Sequence, residues 1–187
     1  MCKKFCKLFI LMVFILITGC ARKLDNSSLP ATINLGDIYY TQVSMQYEKN
    51  RFPTTNYRRG VLLPINSQVQ IQEVTDRSIK LDILPAQTPL RIDNVAKHTG
   101  DTIAQTLVKL LSKKKVDLSQ FSALERQNIL AGKVAKTMQK KAVIAAIGYP
   151  PITETPSLAS NQWTYWSARF NRFVVYFEND RVIRIQD

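Results

Sequence analysis

Three cysteines and one histidine are the strongest nucleophiles and softest metal ligands in this chain of 187 residues. His98 stands in Ala96-Lys97-His98-Thr99-Gly100-Asp101 with no second histidine anywhere, so a zinc site would fall to carboxylates. Neither His-Glu-x-x-His nor Gly-x-Ser-x-Gly occurs, and no glycine-rich loop is spaced to cradle phosphate. His98 beside Asp101 reads as a helix cap or a surface contact rather than a catalytic base. Glycosidase acids need not be close in sequence, yet nothing singles out a pair among Asp37, Glu48, Glu73 and the rest. The expectation is a protein that is not an enzyme and carries no cofactor or metal, with a cell-wall hydrolase as the least favoured reading.

The cysteines point to a different chemistry. Lys3, Lys4 and Lys7 precede a ten-residue apolar run, Leu8 to Ile17. A bilayer span needs about 20 apolar residues, so the run suits the core of a secretory leader. It stops at Ile17-Thr18-Gly19-Cys20, which resembles the bacterial lipobox: a branched residue and two small ones before a cysteine. That resemblance implies residues 1–19 as a signal peptide cut after Gly19. It also implies a diacylglyceryl group on the Cys20 thiol and a further acyl chain, such as palmitate, on the new amino terminus. Each buried CH₂ contributes about 0.8 kcal/mol, and two chains already hold a protein on a membrane. Ala21 follows where enteric lipoproteins kept in the inner membrane have aspartate, so the same resemblance implies the outer membrane, facing the periplasm.

Removing 19 of 187 residues would leave 168, enough for one ordinary domain or two small ones. Cys2 and Cys6 would leave with the leader, and no thiol would remain for a disulfide. The three leader lysines lower the formal charge from +12 to +9. The basic residues are dispersed, among them Arg58-Arg59, Lys113 to Lys115, Lys140-Lys141, Arg169 and Arg172, without the long run of a nucleic-acid arm. Anionic lipid, other envelope phosphates and acidic protein partners are the expected counter-charges; nucleic acid is not.

The pattern along the chain predicts an α+β protein. Residues 20–34 read as an acylated polar tether. From 35 to 95, several short alternating runs separated by turns predict a small β-rich domain shaped like an SH3-like barrel. Residues 96–118 read as a connecting helix, with Ile103, Leu107, Leu110 and Leu111 at helical spacing. Over 119–187 the pattern gives two helices and then three antiparallel strands. Ser122 and Glu125 form a possible capping box, Gly132 and Gly148 are stops, and Asn179-Asp180 is a two-residue hairpin turn. Trp163 with Tyr165, and Phe173 with Val175 and Phe177, fall on core faces.

Residues 119–187 also carry a resemblance. Met138, Val143, Gly148-Tyr149-Pro150-Pro151, Asn161 to Trp166 and Val174 to Val182 resemble the pattern of the SmpA/OmlA (BamE-like) outer-membrane lipoproteins. The resemblance implies two helices packed on a three-stranded sheet and an accessory role in outer-membrane protein assembly. It also implies contacts with other machine subunits and with anionic phospholipid. Thr137 stands where that family has glycine, and the β-rich segment before Ser119 has no counterpart in its short members. A relative with a different partner is therefore expected, and no partner-binding residue is carried over.

Two binding functions remain open on the sequence. One is a non-catalytic scaffold or accessory subunit of an envelope protein complex, serving outer-membrane protein assembly or a secretion system. The other is a peptidoglycan-binding lipoprotein whose β-rich domain would use Tyr39-Tyr40 to Tyr47 and Asn56 to Gly60. Arg58, Arg59, Trp166, Phe170 and Arg172 are the candidate partner or membrane contacts, and Cys20 is the candidate lipidation site.

Overall fold

A computed structural model describes residues 21–187; the leader and Cys20 lie outside the described residues. The first part runs through β1 (Lys23–Leu24), β2 (Ile38–Thr41), β3 (Met45–Tyr47), β4 (Arg51–Pro53), β5 (Val61–Leu63), β6 (Gln68–Thr75), β7 (Ser78–Ile83) and β8 (Thr88–Asp93). Then follow α1 (Ala96–Thr99), α2 (Ile103–Leu110), β9 (Leu111–Ser112), α3 (Ala123–Ala131) and α4 (Lys140–Ile147). The chain ends with β10 (Gln162–Trp166), β11 (Arg172–Glu178) and β12 (Arg181–Gln186). The α+β class expected from the pattern is the class observed.

Strands lie side by side in the order β4-β8-β7-β6-β2-β9, with β1 added on β6 and β3 paired only with β5. Every pairing in the large sheet is antiparallel except β4 with β8. A bulge between Ile71 and Glu73 shifts the inward set of β6 from Val69 and Ile71 to Val74. Such an extra residue bends a strand and strengthens its twist. The sheet curls into a half-barrel with β4 and β9 as its two edges. Its concave side is filled by Tyr39, Ile71, Ile79, Leu81 and Ile92 against Ile103, Leu107 and Leu110 of α2. A complete Thr102–Gln105 capping box starts that helix.

Two segments depart from the expected organisation. The first residues are no free tether: Lys23 and Leu24 pair with Thr75 and Val74, and Leu29 and Ile33 are buried. Apolar side chains within that polar stretch find the open side of the half-barrel core. The connecting helix ends at Leu110, after which Leu111 turns extended and pairs with Thr41. Leu111 stays buried as its helical spacing predicts, but as a strand residue.

In residues 119–187 the Ser122–Glu125 capping box is complete. Glu125 is 2% exposed, and its second oxygen accepts from the backbone of Gln139, which ties α3 to the start of α4. Both helices cover β10-β11-β12 over a core that includes Met138, Val143, Trp163, Tyr165, Val175 and Phe177. Asn179 and Asp180 both take positive φ, 49° and 60°, as a two-residue turn of matching twist requires. The two halves are joined through buried contacts. Ile144 packs on both cores, Ser44 N–H donates to the Ala145 carbonyl at 3.0 Å, and the Ser44 hydroxyl donates to that of Ile129.

Candidate functional site

Hairpin geometry builds the site's centre. In the β10–β11 pairing Trp166 stands directly opposite Arg172, and the Arg172 guanidinium lies 4.6 Å from the centre of the indole ring. A cation over an aromatic face is attracted by the ring's quadrupole. Arg172 also reaches Glu154 at 3.3 Å. Around the same indole stand Tyr57, edge-on at 6.2 Å, and His98, tilted at 6.1 Å. His98 is held by Thr153 through Nδ1 at 3.1 Å, while Asp101 pairs with Lys109 and not with the imidazole. The surface-contact reading of His98 is what the geometry gives.

The segment after β4 closes onto this hairpin because Arg58 N–H donates to the Trp166 carbonyl at 3.0 Å. Arg59 then lies 5.6 Å from the Tyr57 ring centre and pairs with Glu48 at 2.6 Å. At the hairpin tip Phe170 is 85% exposed with Arg169 over its ring at 5.3 Å.

Of the five expected contact residues, Arg59, Trp166, Phe170 and Arg172 therefore share one end of the molecule. Arg58 is the correction. Its guanidinium turns inward and donates to the carbonyls of Ile147 and Gly132, each at 3.3 Å. These are the C-terminal ends of α4 and α3, where orphan carbonyls and the helix dipole favour a cation. Burial pulls its pKa down to about 10, partly opposed by the neighbouring Tyr165. Burial in turn pushes the Tyr165 hydroxyl well above the ordinary tyrosine range, and it donates to the Gly148 carbonyl at 3.0 Å.

The sequence offered Asn56 and Tyr57 only within the Asn56–Gly60 stretch of a wall-binding groove, with no sign that Tyr57 meets Trp166 or that Asn56 bonds to the end of α4. The symmetric Trp-to-Arg span of the hairpin was a usable signal for the Trp166–Arg172 pair. Beside Tyr57 and Arg59 opens a cleft of about 290 Å³, also lined by Gln46, Glu48, Arg51 and Asp93. Arg51 is paired with Asp93 at 2.6 Å, and the Gln46 amide oxygen is buried with no hydrogen-bond partner among the described residues. Tyr39, by contrast, is no groove residue: it is fully buried, and its hydroxyl bonds to the backbone of Asn34 and Thr32.

Among the described residues no three His, Cys, Asp or Glu side chains are grouped to hold a metal ion. Nor is any described helix long and apolar enough to cross a membrane. No family model, no curated protein and no solved structure matches this chain.

Proposed function

We propose that this chain is an outer-membrane lipoprotein, anchored through acylated Cys20, which acts without catalysis as an accessory subunit of an envelope protein complex. Its leader and lipobox support the anchor. One observation carries the docking role: Tyr57, Arg59, Trp166, Phe170 and Arg172 form a basic, aromatic face on a hairpin and loop braced by Arg58. Buried aromatic and arginine anchors dominate binding energy at protein interfaces. The occupant expected on charge grounds is an acidic protein surface with an apolar spot for Phe170.

The test is a photo-cross-linking amino acid at Phe170 or Arg59 in living cells, with Lys23 on β1 as the remote control. Adducts of defined mass from the first two positions and none from Lys23 are expected, with mass spectrometry naming the subunit. Adducts from Lys23 alone, or from none of the three, would rule out this face.

The cleft beside Tyr57 favours a second reading, peptidoglycan binding, since Tyr57 and Arg59 on its wall offer an aromatic face and a polar contact to a glycan or its peptide. Sedimentation with purified murein separates the two: retention that Tyr57→Ala abolishes would shift the assignment to the wall.

A further inference from the structure

The point of anchorage has almost no slack. Arg22 is locked to the turn between β6 and β7: its N–H donates to the Asp76 carboxylate at 3.1 Å, and its carbonyl accepts from the Asp76 N–H at 2.9 Å. Lys23 and Leu24 follow as β1, paired with Thr75 and Val74, and Leu24 packs against the half-barrel core. Only Ala21 separates Arg22 from Cys20. Each residue advances a chain by at most about 3.6 Å, so the Cys20 Cα lies within about 7 Å of the Arg22 Cα. A free tether over residues 20–34 would span about 21 Å on average. A fold of this size has a radius of gyration of about 15 Å, so the shorter reach holds one end of the molecule at the bilayer and keeps the far end off it.

The surface beside that mount is basic. Strand register places Glu73, Lys80, Arg91 and Arg51 in one row across β6, β7, β8 and β4. Their neighbours Ile79, Ile92 and Phe52 are buried in the core, so the row lies on the outer face of the sheet. Glu73 is shared by Lys23 and Lys80, and Asp93 by Arg51 and Arg91. In the turn itself Arg77 lies 3.9 Å from Asp76, with exposed Arg22 alongside. Six cations thus stand against three carboxylates on the side where the mount brings the bilayer. Near an anionic leaflet each Lys or Arg strengthens attachment about fivefold, an effect that fades over about 10 Å.

We infer that the β6–β7 turn and the adjoining outer face of β7 and β8 are the surface this protein lays on the membrane, with Arg22, Arg77, Lys80 and Arg91 against anionic phospholipid headgroups. This orientation rests on the Cys20 anchor proposed above, and it uses none of the residues of the Trp166 face.

The experiment takes the full mature protein from envelopes, checks the acyl groups on Cys20 by mass, and places it in nanodiscs with and without phosphatidylglycerol. A lipid with a gadolinium chelate on its headgroup then speeds the relaxation of nearby amides. Stronger relaxation is expected at Arg77 and Lys80 than at Ser67, which precedes the far end of β6, about 25 Å along the strand. About ten Gly-Ser residues inserted between Ala21 and Arg22 supply about 17 Å of slack. The contrast should then vanish in neutral lipid and persist in anionic lipid, where charge alone seats the face. In that lengthened chain Lys80→Gln with Arg91→Gln should lower the ratio of seated to lifted molecules about 25-fold. Lys133→Gln with Lys136→Gln, between α3 and α4, removes the same charge and should leave the ratio unchanged. At native length Lys80→Gln with Arg91→Gln should keep the contrast, which shows that the variant still folds. An unacylated Cys20 would remove the anchor and this surface together. In acylated protein, relaxation at Ser67 equal to or above that at Arg77 would overturn the surface alone. So would a lengthened chain whose contrast ignores phosphatidylglycerol or survives Lys80→Gln with Arg91→Gln.

Discussion

Asn56 lies so close over Gly148 that a Cβ added there would stand 2.9 Å from the Asn56 Nδ2. That nitrogen donates to the carbonyls of Ile147 at 2.6 Å and Tyr149 at 3.0 Å, on either side of the glycine. One side chain of the half-barrel thus holds the end of α4, where the backbone takes φ 75° and ψ −168°. This conformation is essentially confined to glycine. Gly148→Ala should cost about 3 kcal/mol by chemical denaturation, combining backbone strain with the clash. Asn56→Ala should cost about 2 kcal/mol, because two carbonyls lose their donor. The double variant should fall short of the sum, since removing Nδ2 removes the clash. Strict additivity would mean the two residues do not meet.

Thr137 holds φ at 71° while its N–H donates to Val182 and its carbonyl accepts from Arg181. A β-branched residue in this region is strained by about 1–2 kcal/mol. Thr137→Gly should therefore stabilise the protein by about 1 kcal/mol, offset in part by glycine's larger unfolded-state entropy. A lowered denaturation midpoint in this variant would contradict the strain argument.

Adjacent arginines should behave oppositely. Arg58→Ala leaves carbonyls at the ends of two helices without a charged donor, and should cost about 2 kcal/mol. Arg59→Ala removes an exposed ion pair and should change stability by about 0.5 kcal/mol or less. Thermal melts of the two variants decide it, and equal losses would mean Arg58 is not the brace.

Acid should loosen the N-terminal strand. Lys23 and Lys80 both pair with Glu73, at 2.5 Å and 2.7 Å, and hold its pKa down to about 2 from the usual 4.5. A carboxylate with a depressed folded pKa binds fewer protons folded than unfolded between those values. Its contribution is therefore present above about pH 4.5 and lost as pH falls toward 2. The stability gap between wild type and Glu73→Gln should close over that window, and the hydrogen-exchange protection of Lys23 and Leu24, relative to the intrinsic rate at each pH, should fall. A gap constant from pH 6 to pH 2 would exclude the linkage.

Cys20→Ala should accumulate an uncleaved precursor that takes up no labelled palmitate. Normal maturation of that variant, read by gel mobility, would remove the anchor from the proposal.

Residues close in sequence settled much of this protein. The Ser122–Glu125 box, the stop at Gly148, the Asn179–Asp180 turn and the inward Trp163–Tyr165 and Val175–Phe177 sets depend on neighbours within one turn or one strand repeat. Periodicity and capping act over that range, so they are legible without coordinates. The lipobox-like register at Cys20 is read in the same local way. Distant partners decided the rest. Arg58 turns inward because its acceptors lie 74 and 89 residues further along, and Lys23 leaves the tether because Glu73 and the edge of β6 receive it. Leu111 has the spacing of a helix, yet it becomes a strand because the edge of β2 offers unpaired backbone groups there. The basic row of Lys80, Arg91 and Arg51 has no sequence signal at all, since its members come from three separate strands and stand together only when β7, β8 and β4 pair.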